Sequence, residues 1–183
     1  MKFLKNIILF SLVIFSLQSK ASLLIEPHVA FQFSGKVENS NPATTYSGTQ
    51  YGARLGMQTF GLMGGLDYTR SSITNKTVGI ADYDSDRDQI GVFLGYKFPI
   101  LLRAWGSYYF SDKNTYTNKD YYSGSGTEIG VGFTGLPFIS VNLMYRTSTY
   151  DTAYDSATGL KAKLATSTKT NEIALGVSIP LNL

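Results

Sequence analysis

The chain alternates apolar and polar positions from residue 22 onward, with the period of two that a half-buried β-strand produces. The clearest stretch covers residues 89–97, in which Ile90, Val92, Leu94 and Tyr96 fall on one face. The alternation occurs in eight stretches, each about the 9–11 residues that cross a bilayer as a tilted strand. No stretch after residue 22 has a helical period, so the pattern predicts eight β-strands in one domain.

The connections between these stretches alternate in length. Three of them are tight and carry Gly or Pro, at residues 59–61, 98–100 and 135–137. Four are long and rich in Asn, Ser, Thr, Asp and Tyr, at residues 36–48, 71–86, 111–124 and 148–170. Short turns at one rim and long loops at the other are typical of transmembrane β-barrels. We therefore predict an all-β fold, an eight-stranded antiparallel up-and-down transmembrane β-barrel with four long extracellular loops.

The two faces of the strands indicate which side points outward. A water-soluble barrel of the lipocalin type would place its apolar face inside. Here the apolar face includes nine aromatic residues, too much volume for the interior of eight strands: Phe31, Phe33, Tyr51, Tyr68, Tyr96, Tyr108, Phe110, Phe133 and Tyr145. The polar face is rich in glycine, which relieves crowding inside a narrow barrel. The apolar face is therefore predicted to contact lipid, with these aromatic residues forming the two interfacial girdles.

The polar face carries balanced charges, which a narrow interior would have to pair. The acids are Glu26, Asp67, Glu128 and Glu172, and the bases are Arg54, Lys97, Arg103 and Arg146. Unpaired charges would be costly in a poorly hydrated lumen. A tight turn at 59–61 places Arg54 opposite Asp67. We expect ion pairs and the aromatic side chains of Phe93, Trp105 and Tyr109 to plug the lumen, while a gated polar path stays open as an alternative.

Candidate catalytic and metal-binding residues are few. His28, the only histidine, lies on the polar face near Glu26 and could act as a general base. No inward serine with a partnering acid is marked by motif or spacing, so an ordinary lumenal histidine and no catalytic site are expected. Four alternating acids could ligate calcium, at Asp82, Asp84, Asp86 and Asp88. Their segment lacks the glycine and glutamate of an EF-hand, so we expect solvated charges, no metal and no cofactor.

The first residues have the features of a cleavable signal peptide. Two lysines precede an apolar run over residues 7–17, and Ser19 and Ala21 provide small residues at a cleavage site. We predict a signal peptide over residues 1–21 and a barrel over residues 22–183. The signal peptide contains three lysines and no acid, which account for the net charge of +3. The barrel itself is then neutral, which gives no support for binding nucleic acid.

The layout resembles the small outer-membrane barrels typified by the OmpA transmembrane domain, OmpX and OmpW. The resemblance covers residues 22–183 and includes Gly-Val-Phe-Leu-Gly-Tyr-Lys at 91–97 and Glu-Ile-Gly-Val-Gly-Phe at 128–133. It implies the outer membrane of a Gram-negative bacterium, insertion by the barrel-assembly machinery, and contact with outer-membrane lipid and lipopolysaccharide. Leu183 departs from the family, whose members usually end in an aromatic residue that this machinery reads.

Three functions are compatible with this sequence. The first is a non-enzymatic envelope protein with a plugged polar interior, which serves envelope integrity or surface interaction and has periplasmic termini. The second is a porin-like small channel for hydrophobic or small polar solutes, which the OmpW resemblance implies. The third and least favoured is a lipid-modifying enzyme. A homo-oligomer is open, because Gly64 and Gly106 lie on the lipid face and would allow close packing.

Overall fold

The fold is a closed antiparallel ring of eight long strands. The computed structural model describes residues 21–38 and 40–183, so the predicted signal peptide lies outside the described residues except for Ala21. The strands are β1 (Ser22–Val37), β2 (Thr44–Thr59), β3 (Leu62–Thr77), β4 (Tyr83–Lys97), β5 (Leu102–Tyr116), β6 (Tyr121–Leu136), β7 (Ile139–Asp155), β8 (Leu160–Ser178) and the short β9 (Leu181–Asn182). Each long strand pairs with its neighbours in the chain, and β1 pairs with both β2 and β8. The predicted eight-stranded up-and-down barrel is confirmed.

The strands extend well beyond the predicted boundaries. They contain 15 to 19 residues instead of 9–11, and the predicted long loops are mostly paired strand. The remaining connections at this end, which we call the loop end, are residues 38–43, 78–82, 117–120 and 156–159. The prediction of four long loops is therefore wrong. Thr and Tyr favour strands, and pairing satisfies backbone groups that a loop would leave to water.

Two connections at the loop end are joined by hydrogen bonds. Asp120 Oδ1 accepts bonds of 2.8 Å from both the backbone nitrogen and the hydroxyl of Ser156. The Ser156 hydroxyl also lies 2.7 Å from the carbonyl oxygen of Asn118. The backbone bond from Ser156, followed by the hydroxyl bond, lowers the pKa of Asp120 below its usual value. These bonds fix the β5–β6 connection against the β7–β8 connection.

The opposite end, which we call the turn end, has short connections at residues 60–61, 98–101 and 137–138. Phe60 and Gly61 have φ angles of 49° and 85°, the positive values that a two-residue type I′ turn requires. Phe60, Phe98 and Phe138 are exposed around this end. These three phenylalanines lie in turns outside the alternating stretches, so the period of two does not mark them.

The outer surface is apolar and the interior is polar. All nine aromatic residues assigned to the girdles point outward, with exposed fractions between 41% and 55%. Charged residues on the inward face, such as Glu26 and Arg54, are at most 3% exposed. A water-soluble protein has the reverse arrangement. Such an outer surface requires an apolar medium around the barrel, as the core of a bilayer provides. No helix in residues 21–38 or 40–183 is long and apolar enough to cross a membrane.

Inward glycines allow neighbouring strands to approach closely. Gly65 on β3 pairs with Gly56 on β2. A Cβ atom added to Gly65 would lie 2.1 Å from the carbonyl oxygen of Leu55 and 2.5 Å from the Cα atom of Gly56. The adjacent Gly64 points outward, and the nearest atom to its added Cβ is 3.4 Å away. A side chain at position 65 would therefore displace backbone, whereas one at position 64 would not.

We predict that Gly65→Ala destabilises the barrel by about 1–3 kcal/mol, because overpacking against backbone cannot be relieved by a side-chain rotation. Gly64→Ala, the matched control, should leave the free energy of unfolding nearly unchanged. Urea unfolding in liposomes, followed by the fluorescence of the single tryptophan, Trp105, measures both. Equal stability of the two variants would contradict the interpretation.

Candidate functional site: the charged interior

The interior of the barrel contains a network of arginines and carboxylates. In the described part of the chain its bases are Arg54, Arg87, Arg103 and Arg146, and its acids are Glu26, Asp67, Asp112, Glu128 and Glu172. Each of these residues is at most 3% exposed. Since a buried charge is tolerated only when it is paired and hydrogen-bonded, the contacts of each group decide whether the network is complete.

Glu128 on β6 is the centre of the network. Its carboxylate accepts bonds from Arg54 Nη2 at 3.0 Å and from Arg146 Nη2 at 2.6 Å. The indole nitrogen of Trp105 donates to it at 3.0 Å, and the hydroxyl of Tyr109 lies 3.4 Å away. Donors from Arg54, Trp105 and Arg146, on three other strands, thus converge on one carboxylate.

Asp67 lies beside this centre. The structure pairs Arg54 with Asp67 across the β2–β3 hairpin, with 3.1 Å between Arg54 Nε and Asp67 Oδ2. The hydroxyls of Ser107 and Tyr109 also donate to Asp67 Oδ2, at 2.9 and 3.2 Å. The guanidinium of Arg54 lies 4.4 Å from the ring centre of Trp105, a cation–π distance.

Towards the loop end the network continues through Arg87. Its guanidinium binds Asp112 in a bidentate manner, with both N–O distances at 3.0 Å, and donates to Glu172 at 2.8 Å. Arg146 Nη1 donates to Glu172 at 2.8 Å and so joins this layer to Glu128. The hydroxyl of Tyr150 donates to Asp112 at 3.1 Å.

Towards the turn end, Arg103 and Glu26 form the third layer. Arg103 Nη1 lies 2.7 Å from Glu26 Oε2, and a second bond joins Arg103 Nη2 to Glu26 Oε1. Asn142 and Ser178 accept bonds from Arg103 at 3.0 and 2.8 Å. Leu24 and Met63, close to the turn-end ends of β1 and β3, form a buried apolar cluster with Phe93. This end of the interior therefore contains both an ion pair and apolar packing.

Two members of the network were missed by the sequence analysis. Arg87 has the same parity as the inward residues of β4 but precedes the predicted strand, so a longer strand would have included it. Asp112 follows a β-bulge between Tyr109 and Asp112 that shifts the alternation of β5. Counting by two along β5 would have placed Asp112 on the outer face, so the period alone contained no signal for it.

One predicted member of the plug does not belong to it. Lys97 is the last residue of β4 and its side chain is exposed. It lies next to the turn, where a long flexible ammonium side chain stays in contact with water. The prediction of Lys97 as an interior ion-pair residue is wrong, and in the described residues the interior bases are arginines.

His28 and the aspartates near the β3–β4 connection have separate environments. His28 Nε2 lies 3.2 Å from Thr69 Oγ1, and both residues are buried in the lumen. Asp84, Asp86 and Asp88 point outward on β4. Side-chain hydroxyls of β3 donate to these carboxylates, and Lys76 lies 3.9 Å from Asp82. Within residues 21–38 and 40–183 no group of three or more His, Cys, Asp or Glu residues is arranged to hold a metal ion.

Comparison with known proteins identifies the fold. No protein-family model matches the sequence, and no curated protein is significantly similar to it. The crystal structure of Neisserial surface protein A (NspA) aligns with a TM-score of 0.55 and 16% identity, over 88% of this chain and 99% of that one. The outer membrane protein OprG from Pseudomonas aeruginosa aligns with a TM-score of 0.44 and 13% identity, over 90% and 97%. The likeness to NspA confirms the predicted fold of the small outer-membrane β-barrels.

We predict that Glu128→Gln destabilises the barrel by about 3–5 kcal/mol, because Arg54 and Arg146 lose the buried carboxylate that they share. The matched control is Asp86→Asn on the outer face, where Asp86 pairs with Arg70 at 3.2 Å and both side chains are more than 40% exposed. That change should alter the free energy of unfolding by about 0–1 kcal/mol. Urea unfolding of both variants in the same liposomes measures the difference. Similar decreases in the free energy of unfolding would show that the interior ion pairs stabilise the barrel no more than the exposed pair does.

Proposed function

We propose that this chain spans the outer membrane of a Gram-negative bacterium as a closed, non-enzymatic barrel that serves envelope integrity or surface interaction. In this orientation the turn end and both ends of the barrel segment face the periplasm, and the loop end faces outside. Outer-membrane lipid and lipopolysaccharide surround the apolar surface, and the barrel-assembly machinery inserts the chain. The fold and the apolar outer surface support this location.

The observation that carries the closed state is that three ion pairs cross the lumen between opposite strands. In a ring of eight, strands four apart face each other. Arg54 on β2 binds Glu128 on β6, Arg87 on β4 binds Glu172 on β8, and Arg103 on β5 binds Glu26 on β1. Each pair spans the ring at a different level. Side chains that meet in the middle of a narrow ring support the proposal that ions have no continuous water path through it.

The barrel should therefore carry no steady current in a planar bilayer, because the crossing pairs block the lumen. Liposome swelling with small sugars should likewise match that of protein-free vesicles. Proper folding of the inserted protein is checked by its heat-dependent gel mobility. A steady open current in the nanosiemens range would reject the plug and favour the alternative, a small channel.

The non-enzymatic assignment rests on the surroundings of His28. Its Nε2 faces Thr69, while its Nδ1 has no hydrogen-bond partner in the described part of the chain. A histidine that activates a hydroxyl nucleophile needs an orienting group on the other nitrogen and access for the substrate. Thr69 is fully buried, so a lipid or peptide would have to displace the network to reach it.

Two outward glycines bear on whether the barrel associates with a second copy. Gly64 and Gly106 both point outward, and an added Cβ at Gly106 would meet its nearest atom at 3.7 Å. Such flat positions on the lipid face would allow two barrels to approach closely. We include a homo-oligomer as compatible with the surface, while the proposed role requires only a single barrel.

The orientation can be tested with single cysteines, because the chain contains none. Thr158→Cys lies in the β7–β8 connection at the loop end, and Pro137→Cys lies in the β6–β7 turn. Both positions are exposed. A membrane-impermeant maleimide should label position 158 in intact cells and position 137 only after the outer membrane is permeabilised. The reverse pattern would overturn the proposed orientation.

A further inference from the structure

The interior opens into a cavity at the loop end. The cavity has a volume of about 180 Å³ and is lined by residues from all eight long strands, with Arg87 among them. A pocket for a drug-sized ligand has about 300–1,000 Å³, so this one has room for a single ring. It lies on the loop side of the crossing ion pairs, and so it is accessible without any opening of the plug.

Tyrosines form one wall of the cavity. Tyr83, Tyr116 and Tyr122 come from β4, β5 and β6. The ring centres of Tyr83 and Tyr116 are 5.8 Å apart, and Tyr116 meets Tyr122 edge to face at the same distance. These contacts hold the rings in place and present aromatic surface to the cavity. The wall therefore offers a rigid apolar face of about one ring in width.

The floor of the cavity carries no unbalanced positive charge. Arg87 is the charged residue among those that line it, and its guanidinium is bound by Asp112 and Glu172. The hydroxyls of Tyr46 and Tyr150 donate to the same two carboxylates, at 2.9 and 3.1 Å. With these groups already committed to one another, the floor offers no free cation for an anionic ligand.

Apart from the apolar side chains of Val37 and Ile73, the rest of the lining is neutral and polar. Thr44, Asn75, Thr168 and Asn114 contribute hydroxyl and amide groups. The side-chain oxygen of Asn114 is buried and has no hydrogen-bond partner in the described residues. A buried amide oxygen without a partner is costly, and a rotation of the Asn114 amide into the cavity that it lines would let this oxygen accept a bond from a ligand hydroxyl. The cavity thus combines an aromatic wall with neutral hydrogen-bonding groups.

We propose that this cavity binds one neutral sugar ring. The C–H face of a pyranose packs on tyrosine rings, and its hydroxyls match the amide and hydroxyl groups opposite. A purely apolar ring would leave Asn114 without a partner, and a charged ring would find no counter-charge. The inference goes beyond the proposed function and requires neither conduction nor a particular orientation. The ring can be a free monosaccharide or the end of a glycan.

The test uses the purified barrel in nanodiscs and a panel of methyl glycosides of glucose, galactose and N-acetylglucosamine. We expect saturable binding of at least one glycoside near a Kd of about 1 mM, a range typical of one small ring. Tyr116→Ala and Asn114→Leu should each weaken it about tenfold, by removing wall surface or the amide partner. Tyr108→Ala, on the lipid face of the same strand, is the matched control and should bind like the unmodified protein.

Oligosaccharides that end in the preferred ring distinguish a site for a free monosaccharide from a site for the end of a glycan. Binding of the oligosaccharide at least as tight as that of the methyl glycoside assigns the site to a glycan end, and exclusion of it assigns the site to the free sugar. Gel mobility confirms that each variant is folded. The proposal is overturned if no glycoside binds saturably up to about 100 mM, if the methyl glycoside of glucuronate or of glucosamine binds as well as the neutral sugars, or if Tyr116→Ala binds like the control.

Discussion

The narrowness of an eight-stranded ring is the constraint on which the rest of this structure depends. Side chains on opposite strands reach one another, so Arg54 meets Glu128 and Arg87 meets Glu172 across the lumen. Water has little room between them, and a charge without a partner would be costly there. The interior is consequently a connected network in which Glu128 and Glu172 are each shared between two arginines.

The inner network and the outer surface are coupled through the period of the strand. A slip of β2 by one residue against β3 would turn Arg54 outward into lipid and Leu55 inward, and Asp67 on β3 would lose its partner. The outward apolar residues and the inward charged residues therefore both make a slipped register unfavourable. Inward glycines contribute as well, because Gly56 and Gly65 fit only where they face each other at the close approach of two backbones. The period of two along each strand thus determines both the register of the strands and the apolar surface that faces lipid.

The sequence predicted the strands, their faces and part of the network, because all three follow from a period of two. It did not predict where the strands end, since polar Thr and Tyr residues are compatible with either a loop or a solvated strand. It also missed Asp112, whose inward position depends on a bulge that no local pattern marks. Lys97 was wrongly predicted to lie in the interior, because the period of two continues to the last residue of β4. Burial of the inward positions ends at residue 95, and Lys97 is exposed.

The two ends of the interior are lined differently. At the turn end Leu24, Met63 and Phe93 pack together and are at most 4% exposed. At the loop end the tyrosine-lined cavity ends at Arg87, whose guanidinium is held by two carboxylates. A solute that enters from the loop end would have to break buried ion pairs and then an apolar cluster to pass. The proposed closed state and the proposed ring site are therefore compatible, because a ring in the cavity would leave the ion pairs of Arg87 intact.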